Sequence, residues 1–540
     1  MRFPTLFAAA IALFSSFLAF GQDGKFSEYK FSLRPSPYAA PEFDLTNINI
    51  ARYAGFNQTQ ASEPASAAQS HSDALTWHGI TVYGTYDIGI GWVSHGLPQS
   101  PYNYEGSSLV NRNAAGSRFI VEPNNLSQTG FGVRGKEEFA HGWSVVFNAS
   151  TGINPQSGQL ANASLTDIKD NGLPRADYAE AIDGVRAGQP FNDEYYAGIS
   201  STDYGTLTFG RQRAFGTDAM LQYDPVTGGY AFSYIGYNGT MAAGGDTEDT
   251  RWDNAVKYRI SHGPVHFGAM YKFVDGTGGC YSAATTWTAS TCTALNPHNN
   301  AWGFSAGGAI DKFSSDLVYQ HYNQAISVLN PLLGPQSLSS AGQYQSTTDS
   351  INTTPITGNN VISTDNTVYG IVTDNNAVMA TAKYTLDPFK LYAGYEYIWQ
   401  NNPKNPLGVG ASDQGGYFMS GVEDNNLDRE KLVQIWWTGA KYTYRSKTDF
   451  TLAWYQQQQN DFRIPSTCSA SAGFRSSCAG TLDEGSFYVD HHFTQRFDSF
   501  AGVAYSWVSG GLAIAIPHGP GVPYNSDNNF APTVGSRFAF

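Results

Sequence analysis

Charge is sparse in this 540-residue chain. Only 14% of it is Asp, Glu, Lys or Arg, with 45 acidic residues against 31 basic ones. A formal net charge of −14 leaves no basic footprint for phosphate, which excludes nucleic acid as a partner. Long apolar runs are missing too. Past residue 21 none approaches the roughly 18 residues that a spanning helix needs. The mean hydropathy of −0.32 is also far below that of helical membrane proteins. Cysteine is scarce: Cys280 with Cys292, and Cys468 with Cys478, each pair in a stretch rich in Ser, Thr, Ala and Gly. In an oxidising compartment these read as two local disulfides, with free thiols as the alternative. Tight His, Cys and carboxylate clusters with metal spacing are absent, so neither metal nor cofactor is expected.

The N-terminus carries Arg2, an apolar stretch from Leu6 to Phe20 and small residues at Ala19 and Gly21. This reads as a signal peptide over 1–21. Residues 22–74 are rich in Pro, Ala, Ser and Gln and show no strand or helix period. They read as a flexible periplasmic extension, with a cell-wall anchor as the alternative.

What the chain does have is Gly (57), Tyr (33) and Phe (33), arranged with period two. Ile80, Val82, Tyr86, Ile88, Ile90 and Trp92 fall on even positions, with Thr81, Tyr83, Thr85 and Asp87 between them. Val265, Phe267, Ala269, Tyr271 and Phe273 oppose His266, Met270 and Lys272. Leu391, Ala393, Tyr395, Tyr397 and Trp399 oppose Lys390 and Glu396, and Trp252, Val256, Tyr258 and Ile260 oppose Asp253, Lys257 and Arg259. Charges stay off the apolar face. An Arg or Lys facing lipid costs about 2–4 kcal/mol at mid-bilayer, so a lipid-facing surface demands this segregation.

Sixteen such segments can be read between residues 77 and 540. Their connections alternate between two to four residues and about 20 to over 50. Even strand number, short turns at one end and long loops at the other belong to an outer-membrane barrel. The fold class is therefore all-β: residues 75–540 form a sixteen-stranded antiparallel transmembrane β-barrel with short periplasmic turns and long external loops. The last segment, Val534-Gly-Ser-Arg-Phe-Ala-Phe540, ends on an aromatic. Trp92, Trp143, Trp252, Phe273, Trp399, Tyr444 and Phe540 lie near strand ends and read as interfacial girdles or as ordinary sheet packing.

A barrel this wide leaves an aqueous channel, and function depends on what narrows it. The third long connection is the best candidate for a loop folded into the lumen. It holds Asp218, Asp224, Asp246, Glu248 and Asp249 against one base, Arg213. On the following strand Arg251, Asp253, Lys257 and Arg259 all fall on the non-lipid face, and Arg134 and Arg211 lie near two other strands. Acids on a loop opposite bases on a wall set a transverse field, which is one way pores select ions. The alternative is that these charges merely keep a wet lumen soluble. Arg211 shares parity with the lipid-facing Leu207 and Phe209, so a bulge or strand end near Gly210 has to turn it inward.

Ile80-Thr-Val-Tyr-Gly-Thr-Tyr-Asp87 resembles the first strand of the general bacterial porin family. Gly132-Val-Arg-Gly-Lys-Glu-Glu-Phe139 resembles its second strand and turn, and Tyr204-Gly-Thr-Leu-Thr-Phe-Gly-Arg-Gln212, followed by Asp224-Pro225, its fifth strand and third loop. Phe500-Ala-Gly-Val-Ala-Tyr505 and the terminal Phe complete an ordered set over residues 75–540. The resemblance implies a homotrimer that passes small hydrophilic solutes and ions passively through outer-membrane lipid. It also implies a third loop opposite a basic ladder carried here by Arg211, Arg134 and Arg251. The family often has an Arg four residues before the position of Arg134; here that residue is Gly130.

Other chemistry is weakly represented. Gly303-Phe-Ser-Ala-Gly307 matches a serine-hydrolase pattern, but it sits inside an alternating strand rather than at a strand-to-helix elbow. His491 and His492 are adjacent on a strand and point to opposite faces. Asp246-Thr-Glu-Asp249 lacks the spacing of a calcium loop. A passive porin is the leading expectation. A substrate-selective porin for a sugar, phosphate or organic anion is the alternative, and a barrel enzyme or adhesin comes last.

Overall fold

The computed structural model describes residues 75–95, 117–153, 155, 158, 160, 190–238, 251–274, 281–282, 298–329, 336–338, 344–346, 368–405, 410–414, 417–423, 427–462, 477–510 and 528–540. The expected signal peptide and extension lie outside them. So do Asp246, Glu248, Asp249, Cys280, Cys292 and Cys468.

Sixteen antiparallel strands close into one barrel. In chain order they are β1 Ile80–Val93, β2 Gly130–Ala140, β3 Trp143–Gly152, β4 Glu194–Ser201, β5 Gly205–Arg213, β6 Arg251–His262, β7 Val265–Lys272 and β8 Ala301–Ile310. The second half comprises β9 Phe313–Leu329, β10 Val368–Leu386, β11 Phe389–Asn401, β12 Lys431–Tyr444, β13 Thr448–Gln459, β14 Gly480–His492, β15 Phe497–Gly510 and β16 Asn528–Ala539. Each pairs with the next, and β16 closes on β1 through Thr85↔Ala539 to Gly91↔Thr533. Beyond that register the backbones of Gly84 and Phe540 exchange two hydrogen bonds of 3.0 Å. The carboxyl terminus thus completes the ladder, leaving no open edge.

The expected faces appear in the accessibility of the side chains. On β1, Ile80, Val82, Tyr86 and Ile90 are exposed, while Tyr83, Thr85 and Asp87 are buried. On β7, Val265, Phe267 and Tyr271 are exposed, and His266, Met270 and Lys272 are buried. Seven short turns join the strands at one end, from two residues (141–142) to four (493–496). Trp143, Tyr444 and Phe540 are exposed beside this end, and Phe273 beside the other. The loops at the far end run from seventeen residues (511–527) to forty-one (153–193). The expected gap of over 50 is shorter because β9 and β10 run on, to 17 and 19 residues.

Trp252 departs from the parity reading. It is fully buried, not outward like Tyr258. The β5–β6 register shifts between Gly210 and Gln212, so Asp253 and Asn254 together oppose Arg211. Asn254 takes a φ of 50° at this bulge. The extra residue turns Trp252 inward, which strict alternation cannot reveal. Among the described residues five short strands extend the sheet at the barrel rim. Among them, Arg118–Pro123 pairs with the upper half of β1.

Candidate pore constriction

The third loop leaves β5 at Arg213 and enters helix α1, Phe215–Tyr223, through the extended Ala214. After Asp224 and Pro225 it turns at Thr227 (φ 62°) and Gly228 (φ 80°) and reaches a short helix, α2 Tyr234–Asn238. Phe215, Met220, Tyr223, Phe232, Tyr234 and Ile235 are buried with inward residues of β6 to β15 in one apolar cluster. The loop lies inside the barrel, against its wall.

Polar contacts fasten it at intervals. At the start, the Asp218 carboxylate accepts from Lys257 Nζ at 2.6 Å and also from Arg259. Both cations lie over the Phe215 ring, at 4.8 and 5.6 Å. Midway, Tyr223 Oη donates to Asp316 at 3.1 Å, and Trp437 Nε1 donates to the Tyr223 carbonyl at 3.1 Å. Asp224 accepts from Tyr455 Oη at 2.5 Å and from the backbone N–H of Gly228 at 2.7 Å. Further on, Ser486 Oγ donates to the Phe232 carbonyl at 2.7 Å, and Phe232 stacks on Tyr488 at 5.0 Å.

The loop ends against the first long loop. Tyr230 and Ala231 donate backbone N–H groups to the carbonyls of Asn124 and Asn125, at 2.8 and 3.3 Å. That segment is itself held by Asp87 of β1, whose carboxylate accepts the backbone N–H groups of Asn125, Leu126 and Ser127 at 2.8 to 3.1 Å. Two wall glycines make room. A Cβ on Gly439 would collide with Pro225 Cγ, and one on Gly268 would stand 2.5 Å from Phe215 Cζ.

The two loop carboxyls differ in environment. Burial pushes Asp218 up, but the charges of Arg259 and Lys257 outweigh it and hold the group below its ordinary value. Burial also pushes Asp224 up, and there it prevails over hydrogen bonds from Tyr455, Gly228, Ser233 and Val226.

The sequence-expected bases separate into four groups. Lys257 and Arg259 are in direct contact with Asp218, so this acid and these bases clamp the loop to the wall instead of facing one another across a gap. Arg251 joins Arg213 on Asp193, at 2.8 and 2.9 Å, and also reaches Gln128 Oε1 at 3.5 Å. Arg211 is held by Asp253 at 2.8 Å and by the Asn192 carbonyl at 2.8 and 3.2 Å. Gly210 does take an unusual φ of 126° and the register does shift there. Even so, Arg211 stays in register with the exposed Tyr195. Arg134 is half-buried on β2, its guanidinium 5.0 Å from the centre of the Tyr83 ring. Asp193 was missed by sequence reading because it lies just before β4, where no period marks it.

Ser305 lies within β8, in register with Gly268 and Val318. His492 meets Asp449 at 3.4 Å and Asp498 at 3.6 Å, where Arg537 also holds Asp490 and Asp498. His491, as expected, parts from it and bonds Thr448. Cys478 is buried and disulfide-bonded.

A family model described as Gram-negative porin matches residues 60–511. The chain belongs to the Gram-negative porin family. Its barrel therefore sits in the outer membrane, with the seven short turns toward the periplasm. A relative, an outer membrane porin protein of Bordetella pertussis, is 26% identical over 210 residues, 39% of this chain. The match spans 45% of that protein, about half its length. Among solved structures, the anion-selective porin from Comamonas acidovorans is similar in fold, with a TM-score of 0.50 and 12% identity. That similarity covers 85% of this chain and 99% of the other.

Proposed function

We propose that this porin is a water-filled channel for passive diffusion of small hydrophilic solutes and ions, with the third loop setting its bore. One observation carries the reading: a closed sixteen-stranded barrel whose loop 215–235 is buried inside it, along the inner wall. Apolar side chains face out toward outer-membrane lipid, and the inward positions carry polar side chains together with the apolar ones that pack on the third loop. Arg134, Arg251, Lys257 and Arg259, with the acid Asp218, set the field along the wall that permeating ions pass, and Asp224, Asp246, Glu248 and Asp249 make up the acidic excess of the same loop. Arg211 positions the second loop through Asn192 and contributes less. The porins that the chain resembles supply the expectation of a homotrimer.

Single-channel recording in planar bilayers, with the reversal potential taken in a salt gradient, tests this. Arg251→Ala with Arg259→Ala should raise the cation/anion permeability ratio, because acids then lose their counter-charges. Shortening the third loop should raise conductance. Absence of ion-conducting steps refutes the reading.

A further inference from the structure

A second basic group lines the wall on the periplasmic side of the third loop. Lys383 of β10, Lys390 of β11 and Lys441 of β12 all occupy inward positions, and the first two are buried. Lys390 stands directly opposite Lys441 in the β11–β12 register. Lys383 stands opposite Tyr392, the next inward residue after Lys390. Facing residues on neighbouring strands have Cβ atoms about 4.5–5.5 Å apart, and diagonal ones about 7–8 Å. Three ammonium groups therefore reach one small volume.

Like charges directly opposite each other destabilise a sheet. Lys441 repels both Lys383 and Lys390. The nearest carboxylates attract these lysines but are shared with other donors: Asp449 and Asp490 lie near Lys441, Asp449 near Lys390 and Asp316 near Lys383. Asp316 is held by His266 at 3.0 Å and Tyr223 at 3.1 Å, Asp449 by His492 at 3.4 Å, and Asp490 by Arg537 at 3.3 Å. Among the described residues neither Lys383 nor Lys441 enters an ion pair. The third loop roofs the group. The Tyr223 ring centre is 5.8 Å from Lys383 Nζ, and Pro225 packs on Gly439, the inward residue next to Lys441. Tyr392 and Tyr488 border Lys441 from the sides.

We propose that Lys383, Lys390 and Lys441 form a binding site for a small oxyanion, of the phosphate or carboxylate class, on the periplasmic side of the third loop. Clustered positive charge is what a multiply charged oxyanion neutralises, and ammonium donors from three neighbouring strands suit its several oxygens. This deepens the channel reading and rests on it. An oxyanion held there slows the passage of chloride, because both follow the same cations.

The full-length protein is placed in planar bilayers, and its chloride current is recorded while inorganic phosphate, or succinate in a parallel series, is added. Saturable inhibition by either is expected. Lys383→Gln with Lys441→Gln should raise the half-inhibiting concentration about tenfold or more, a loss of differential binding readable directly from the titration. Lys383→Arg with Lys441→Arg keeps the charge and should keep the inhibition, which separates lost binding from a damaged barrel. No inhibition by either anion, or equal inhibition of native and Gln variants, overturns the site. A protein that opens no channel refutes the channel reading instead. Calorimetric titration of the purified native protein with phosphate and succinate then decides the site, and absence of binding of both overturns it.

Discussion

Two buried carboxyls respond to pH in opposite senses. Glu122, on the short strand beside β1, is buried and accepts from Thr533 Oγ1 at 2.6 Å. Burial pushes its carboxyl up to about 7, against that hydrogen bond. The folded state therefore favours its protonated form. The associated stability is complete below the unfolded value and is lost as pH rises through about 7. Hydrogen exchange at 118–127 should speed up across that range, and Glu122→Gln should remove the dependence; an unchanged profile in the variant refutes it. Asp218 is the reverse case, since its folded value is depressed by Arg259 and Lys257. Its contribution is present above the unfolded value and is lost as pH falls below it. Asp218→Asn removes the counter-charge of buried Lys257 and a partner of half-buried Arg259, a cost of about 3 kcal/mol or more. The variant should show larger conductance steps and greater protease sensitivity of the third loop. At the cysteines, mass mapping of unreduced protein should find Cys280–Cys292 and Cys468–Cys478. Closing a loop of about a dozen residues contributes on the order of 3 kcal/mol in the chain-entropy model. Free thiols, or a bond between the pairs, would contradict this.

Among elements, the third loop depends on the wall beneath it more than on its own helical propensity. Its helix has only nine residues, too short to persist alone. Its position comes from the wall glycines and from polar contacts that β6, β9, β12, β13 and β14 supply. Gly439→Val should push Pro225 off the wall, undock the loop near Asp224 and raise conductance. Pro225→Ala in the same chain should restore part of the native conductance by giving back the space. If Gly439→Val conducts like the native protein, the loop is held elsewhere. The strands were legible because burial on one side and lipid on the other impose a period of two. The bulge at Asp253–Asn254 was not, since one extra residue changes face without changing composition. Trp252 was misread for this reason, while Lys257 and Arg259, below the bulge, kept the expected face.

For the molecule as a whole, period-two segregation and the alternation of turns with long loops determined the sequence-level answer: sixteen strands, one closed barrel, outer membrane. Those signals are local, because each strand must satisfy lipid, lumen and two neighbours along its own length. The third loop was also legible as an acidic insertion after β5. Its partners were not. Asp218 meets Lys257 and Arg259 from about forty residues away, Asp224 meets Tyr455 across 231 positions, and Tyr230 meets Asn124 of the first long loop. Lys383, Lys390 and Lys441 become one group only when β10, β11 and β12 are set in register. Strand identity is written in the alternation of neighbouring residues. Which inward charges converge depends on register, shear and closure, and those exist only once the sheet has joined its own ends.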